Sequence, residues 1–464
     1  MVARIDLAQL TRQALVGLVA IGLGVAAGVD PKVAVAGAIG LAFVVLVIGD
    51  LTIGLCLFAV VSFLDVLPHI GGSVFSFSKI IGFLLAVSWF AKVSTTTDTR
   101  SDFLAEHPAF TYVLALFVGF GALSLTWADN ASAGGTPVMR YVLNVVLFLI
   151  VYTAVKTPRD FKWTVGAYVT GAGLAAGYGF IAPPQTQNYY EVSRVTGTLG
   201  DPNQLAAVLV GGIVLAAALS ATIKRSPIIR VGLIGVAVVC TIGIFLTLSR
   251  GGLVSLGFAL VAAIVVAGRW RIQALALTTL LGVTALLYFG FVASQDEVAR
   301  VTSFGRGSGR EDIWTVGWRM VQAHPVRGVG VGNFKSASIH YLLRPGALQR
   351  DEFIVDTPKV AHNTYLQVLA EEGVLGEVLF LSIIGFSLLS ILRAARIYER
   401  LGDSSMELLS RALLVALAGV LAADFFISDQ FSKQLWLLLA LGPALLAIAH
   451  SAGLRRRAPS AIRS

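Results

Sequence analysis

Arg250, Arg310 and His362 are the side chains in this sequence best placed to do chemistry. Arg250 lies in Thr247-Leu248-Ser249-Arg250-Gly251-Gly252, a join between two apolar runs so short that the runs must be antiparallel neighbours. The two glycines remove side-chain bulk beside the guanidinium and let a backbone or a ligand approach. An arginine at such an edge either snorkels to lipid headgroups or grips a substrate anion. Arg310 opens a helix: Ser308-Gly309-Arg310-Glu311 fits a capping box, and Pro325 stops the helix near His324. Glu311 and Asp312 suit the positive end of the helix dipole, whereas Arg310 opposes it, which points to an anion as its partner. The alternative is an ordinary surface arginine paired with an acid. Arg310, Trp314, Gly317 and Val321 share one face of that helix, and Arg319 lies on the opposite face. His362 and Asn363 stand before another helix start, because Thr364-Tyr365-Leu366-Gln367 also has the capping-box pattern. Free N–H groups at such an end favour an anion, and an imidazole there serves as a general base or as a donor to a phosphate oxygen. The bland alternative is a histidine hydrogen-bonded at a loop edge.

Further candidates surround these three. Asp201-Pro202-Asn203-Gln204 reads as a helix start, with Asp201 the cap and Pro202 at the first position. Asn203 can face a sugar, and Arg194, seven residues before Asp201, can meet a phosphate. Gly328-Val329-Gly330-Val331-Gly332-Asn333 lacks the preceding strand and spacing of a nucleotide fingerprint and is expected to be a tight-turn loop. Cys56 and Cys240 each sit in an apolar run and read as small hydrophobes. No Cys or His spacing fits a metal site and no Ser-His-acid set stands out, so neither metal nor cofactor is expected.

The elements that must hold these residues are membrane helices. Hydrophobic residues make up 56% and charged residues 13% of 464 positions, which excludes a soluble globular chain. Fourteen apolar runs approach the ~20 residues a crossing needs, from 13–29, 33–49 and 51–67 to 431–449. Arg4 and Arg12 before the first run resemble a signal peptide, but the next run starts at Val33, so the first run is expected to stay as a helix. With the N-terminus in the cytoplasm, most of the 35 Lys and Arg residues fall inside. Both termini are then cytoplasmic, and the long polar loop is extracytoplasmic. The net charge of +9 is thus a topology signal rather than a sign of nucleic acid. The chain divides into N-terminal membrane helices (1–190), central helices with the Arg250 motif (191–292), the polar loop with short helices (293–364), and C-terminal helices with a basic tail (365–464).

With these residues in place, the chain resembles the O-antigen ligase and O-antigen polymerase superfamily of bacterial envelope glycosyltransferases. The resemblance rests on Ser249-Arg250-Gly251-Gly252, on Gly309-Arg310 with Ile313-Trp314 through His324-Pro325 and Gly328-Val329-Gly330, and on His362-Asn363-Thr364-Tyr365-Leu366 with Glu372-Gly373 and Gly376. Gly197-Thr198 with Asp201-Pro202-Asn203 is similar too. It implies an all-α polytopic fold of the GT-C type with about 12–14 transmembrane helices in the bacterial cytoplasmic membrane. It also implies a polyprenyl-diphosphate-linked glycan donor, a saccharide or lipid-glycan acceptor, and metal-independent, inverting transfer. By the same resemblance Arg250 and Arg310 hold the diphosphate, and His362 assists the acceptor hydroxyl or the leaving group. Arg194, Asn203, Arg319, Asn363 and Trp314 complete the expected substrate contacts. The competing reading is a transporter or flippase of lipid-linked saccharides; such a protein usually buries charge at mid-membrane and shows an internal repeat, and neither is evident.

Overall fold

The computed structural model describes residues 50–64, 77–95, 102–182, 185–186, 193–302, 309–342 and 358–457, with scattered positions from 17 to 49. The runs expected at 13–29 and 33–49 therefore lie largely outside the described residues. Fourteen helices of eight residues or more organise the rest: α1 (Leu51–Val61), α2 (Phe77–Thr95), α3 (Pro108–Ser124), α4 (Ala131–Ala154), α5 (Pro158–Ile181), α6 (Pro202–Thr222) and α7 (Pro227–Leu246), then α8 (Arg250–Val266), α9 (Arg271–Leu287), α10 (Gln295–Thr302), α11 (Arg310–Ala323), α12 (Thr364–Leu401), α13 (Ser404–Ala423) and α14 (Lys433–Arg457). Among the described residues, eight helical segments are long and apolar enough to cross a membrane, and α1, α3 and α8 are shorter apolar helices. The chain is an all-α polytopic membrane protein. The run 51–67 gives only the 11-residue α1 among the described residues, about 16 Å of helix, too short to cross a ~30 Å hydrocarbon core alone.

Helices α6, α13 and α14 are buried along most of their length and form the centre, while α7 and α9 expose apolar side chains as lipid-facing helices must. Close packing at the centre depends on small residues. A Cβ on Gly251 would lie 2.6 Å from the Phe426 Cβ, and one on Gly252 would lie 2.4 Å from the Ala206 Cβ. The bulk missing beside Arg250 therefore admits two chain segments. A two-residue ribbon, β1 (Gln185–Thr186) antiparallel to β2 (Ser193–Arg194), lies before α6.

Two helix starts depart from the sequence expectation. The cap of α11 is Gly309 in the left-handed conformation, with no side-chain cap, and Ser308 lies outside the described residues. The cap of α12 is Asn363, whose Oδ1 accepts the Leu366 N–H at 3.0 Å. Thr364 is freed for tertiary work: its Oγ1 donates to the Ile427 carbonyl at 2.9 Å and accepts the Asp429 N–H at 2.8 Å. Asp201 caps α6 as expected, its Oδ1 accepting the N–H groups of Asn203 (2.7 Å) and Gln204 (2.9 Å).

Helix α12 breaks at Gly373 (φ 65°, ψ −170°), and the break anchors the polar segment. The carbonyls of Ala370 and Glu371 accept the N–H groups of Val329 (3.0 Å) and Gly330 (2.8 Å), while the Val374 N–H donates to Pro325 O at 2.8 Å. The buried Glu371 carboxylate accepts from Gly332 N (2.8 Å), Phe334 N (3.2 Å) and Gln367 Nε2 (3.1 Å). The glycine loop is thus a backbone clamp. Gly373→Ala would set a Cβ 2.2 Å from Val326 O in a conformation closed to L-residues. It is expected to cost on the order of 3 kcal/mol and to lower the thermal midpoint in detergent clearly below wild type. An unchanged midpoint would show that this clamp does not hold the segment.

Candidate active site

Arg194, on β2, is buried against the end of α7 and the start of α6. Its Nε donates to Thr247 O at 2.8 Å and its Nη2 to Asn203 Oδ1 at 3.1 Å. Asn203 Oδ1 also accepts from Ser249 Oγ at 2.9 Å, so one amide couples Arg194 to the residue preceding Arg250. Asn203, expected as a sugar contact, is in the structure the joint between these two arginine-bearing segments. Leu248, just before that turn, has φ 47°, and His362 has φ 49°; they are the two non-glycine residues with positive φ among the described residues. Such strain gathers where the surrounding structure imposes a functional geometry.

Four arginines meet here. Arg300, Arg310 and Arg250 all act electrostatically on Arg194, and Arg250 and Arg300 both act on Arg310. Burial is the largest influence on Arg194 and, with these neighbours, lowers it to about 9, with Asp201 opposing. Arg310 is lowered for the same reasons, burial first, again against Asp201. Both shifts have the same cause: burial, with other cations close by. Arg300 is the residue sequence reading missed. Its helix α10 begins with a reciprocal cap, Ser294 N–H to Glu297 Oε2 at 2.7 Å and Glu297 N–H to Ser294 Oγ at 3.3 Å, and Ser294-x-x-Glu297 was the signal for it.

His362 faces the same cluster. Burial lowers its imidazole to about 4, Arg310 pushes the same way, Asp201 opposes, and Lys359 and Lys335 add to the lowering. Trp314 holds the approach to it, donating from Nε1 to Ala361 O at 2.9 Å. Trp314 thereby links Arg310's helix to the segment carrying His362. Asn363 is spent as the α12 cap. Arg319 is not brought to the cluster: it is buried on the other side of α11, its Nη1 donating to Tyr341 O at 2.9 Å and Leu342 O at 3.4 Å. Ile313, Val316 and Met320 form a small core on that helix, and Arg319 ties the following segment to it.

The 424–432 turn closes the site from below. The Thr364 N–H donates to Asp424 O at 2.8 Å, and Gln204 Nε2 donates to Asp429 Oδ1 at 3.1 Å. Burial raises both carboxyls, Asp429 to about 7, and the charge of Asp429 pushes Asp424 further up. Among the described residues, no group of three or more His, Cys, Asp or Glu is arranged to hold a metal ion.

Two outcomes test this geometry. His362 is expected to stay neutral at pH 6 and to gain its proton only near pH 4, followed by side-chain NMR of histidine-labelled protein; Arg310→Ala should move that point upward. As pH falls from the ordinary value of 6.5 toward 4, the unfolded chain binds a proton there that the folded chain refuses, so this histidine lowers stability across that interval. Asn203→Ala should cost about 1–3 kcal/mol by leaving the Arg194 and Ser249 donors unmatched, seen as a lower thermal midpoint.

The O-antigen ligase family model matches residues 235–381. Arg250, Arg300, Arg310, Trp314 and His362 fall inside that segment, whereas Arg194, Asp201 and Asn203 precede it. No curated protein matches the chain. The motifs and the helical membrane fold agree with this match, and residues 235–381 are similar to the O-antigen ligase family.

Proposed function

We propose that this protein is a glycosyltransferase that transfers or polymerises glycan from a polyprenyl-diphosphate-linked donor at the outer face of the bacterial cytoplasmic membrane. The observation that carries the reading is the convergence of Arg194, Arg250, Arg300 and Arg310, from four separate segments, within electrostatic reach of one another. Glycosyl transfer from such a donor builds negative charge on the departing phosphate. Preset guanidinium groups in a poorly hydrated cleft stabilise that charge as it forms, and their planar forks match phosphate oxygens two at a time. The reaction needs neither nucleotide nor metal in this scheme, and single displacement inverts the anomeric centre.

The lipid part of the donor has a place beside the cluster. An apolar cavity of about 350 Å³ is lined by Leu253 and Leu256 of α8, Leu281 of α9, Phe245 of α7, and Val298 and Val301 of α10. Leu253 is one turn beyond Arg250 and Val301 is next to Arg300, so an isoprenoid chain lying there would present its diphosphate to the arginines. His362, neutral at physiological pH, hydrogen-bonds the acceptor hydroxyl and orients it without adding a further cation to the site. The positive-inside pattern puts both termini in the cytoplasm and this end of the bundle outside.

The test is glycan transfer by purified protein from a polyprenyl-diphosphate oligosaccharide, with EDTA and without nucleotide. Arg250→Ala and Arg310→Ala are each expected to lower kcat about 10²–10³-fold, and His362→Ala about 10²-fold. A longer glycan on the same lipid identifies a polymerase, and glycan on a new acceptor identifies a ligase. A folded wild type that moves the lipid-linked sugar across vesicles yet forms no new glycosidic bond would replace the enzyme reading with transport.

A further inference from the structure

Asp201 does more in this structure than cap a helix. Its Oδ1 is fixed by the N–H groups of Asn203 and Gln204, while Oδ2 makes no hydrogen bond to a described residue. The side chain is half-buried, and its charge acts on Arg194, Arg310 and His362 together. Yet among the described residues Asp201 closes no ion pair with any of them. The carboxylate is aligned through one oxygen and forms no ion pair with a described cation, so its second oxygen can accept from a protic group.

We propose that Asp201 Oδ2 is the base that takes the proton of the incoming acceptor hydroxyl. This rests on the glycosyl-transfer reading and adds a catalytic residue to it. The acceptor O–H bond breaks and its proton passes to Oδ2. The oxygen's electron pair forms the new bond to the anomeric carbon. The bond from that carbon to the diphosphate oxygen breaks, and the lipid diphosphate leaves with the pair and the added negative charge. The departing diphosphate, or water, then takes the proton from Asp201 and resets the site. A proton on His362 would create a buried cation beside Arg310, whereas a proton on Asp201 yields a neutral acid.

Asp201 acts electrostatically on Arg194 of β2 and Arg310 of α11, and Arg250 and Arg300 belong to the same group of cations. His362 lies before α12 with Lys359 and Lys335 near it, and Asp429 faces Asp201 from the turn between α13 and α14.

Asp201→Asn tests this, because asparagine caps a helix as well as aspartate does but cannot take the proton. In the transfer assay it should lower kcat by about 100-fold or more while leaving the KM for donor within about threefold. Asp201→Ser, a second good cap, should behave the same way, and thermal midpoints near wild type would show that both variants fold. Wild-type-like kcat in either folded variant would reduce Asp201 to a cap and overturn the proposal. If wild type forms no glycosidic bond, the transfer reading itself fails and the base assignment falls with it. If wild type transfers and the variants transfer equally well, only the base assignment falls.

Discussion

The buried carboxylate of Glu371 is the contact on which the site end of this protein depends. A charge with no exposure to water is costly unless it is met by donors, and three N–H groups meet it: those of Gly332, Phe334 and the Gln367 amide. Two of the three come from the glycine loop, so satisfying the carboxylate docks that loop onto α12. The break at Gly373 supplies the complementary half, because the carbonyls left over at the break accept from Val329 and Gly330. A polar segment that would otherwise lie loosely over a membrane bundle becomes part of the rigid body. Helix α11 leads directly into that loop, and Trp314 ties the helix to Ala361. Arg310 and His362 are therefore fixed with respect to one another by backbone, and only the last few bonds belong to their side chains.

The two ends of the bundle treat arginine differently. At one end Glu407 is fully buried between Arg269 and Arg411, and Arg411 also pairs with Glu399 at 3.0 Å and donates to Val266 O at 2.5 Å. Acid and base alternate there, and the network staples α8, α12 and α13 together. At the other end Arg194, Arg250, Arg300 and Arg310 gather, and the charge of Asp201 acts on Arg194 and Arg310. Arg194 is held there by neutral acceptors, the Thr247 carbonyl and the Asn203 amide oxygen. A structural ion network neutralises itself.

The same economy explains the strained residues. Leu248 and His362 adopt left-handed backbone next to Arg250 and within the site respectively, and both are enforced by contacts from elsewhere. Leu248 is buried, and Thr247 beside it receives Arg194. His362 lies between Ala361, held by Trp314, and Thr364, stitched to the 424–429 turn. Local conformational cost is carried by distributed hydrogen bonds rather than by any single one.

How much of this was legible in the sequence follows from the range of each interaction. Apolar runs, the Asp201-Pro202 cap, the helix opened by Arg310 and stopped near His324, and the tight turns of the glycine loop all depend on neighbours within a few residues, and the sequence by itself determined them. Arg250, Arg310 and His362 were visible because each stands beside a helix end, where local rules make a charged or titrating side chain conspicuous. The short-range rules failed at the caps of α11 and α12, because Thr364 has a tertiary partner in Ile427 that outweighs a local cap. Periodicity put Arg319 on the far face of its helix, yet its binding to the Tyr341 and Leu342 carbonyls depends on how the following segment folds back. The meeting of Arg300 with Arg194, and of Asp201 with Arg310 and His362, rests on contacts between segments more than 100 residues apart. Only the tertiary structure decided those, because charge interactions act through space and no spacing along a chain encodes which helix ends will meet.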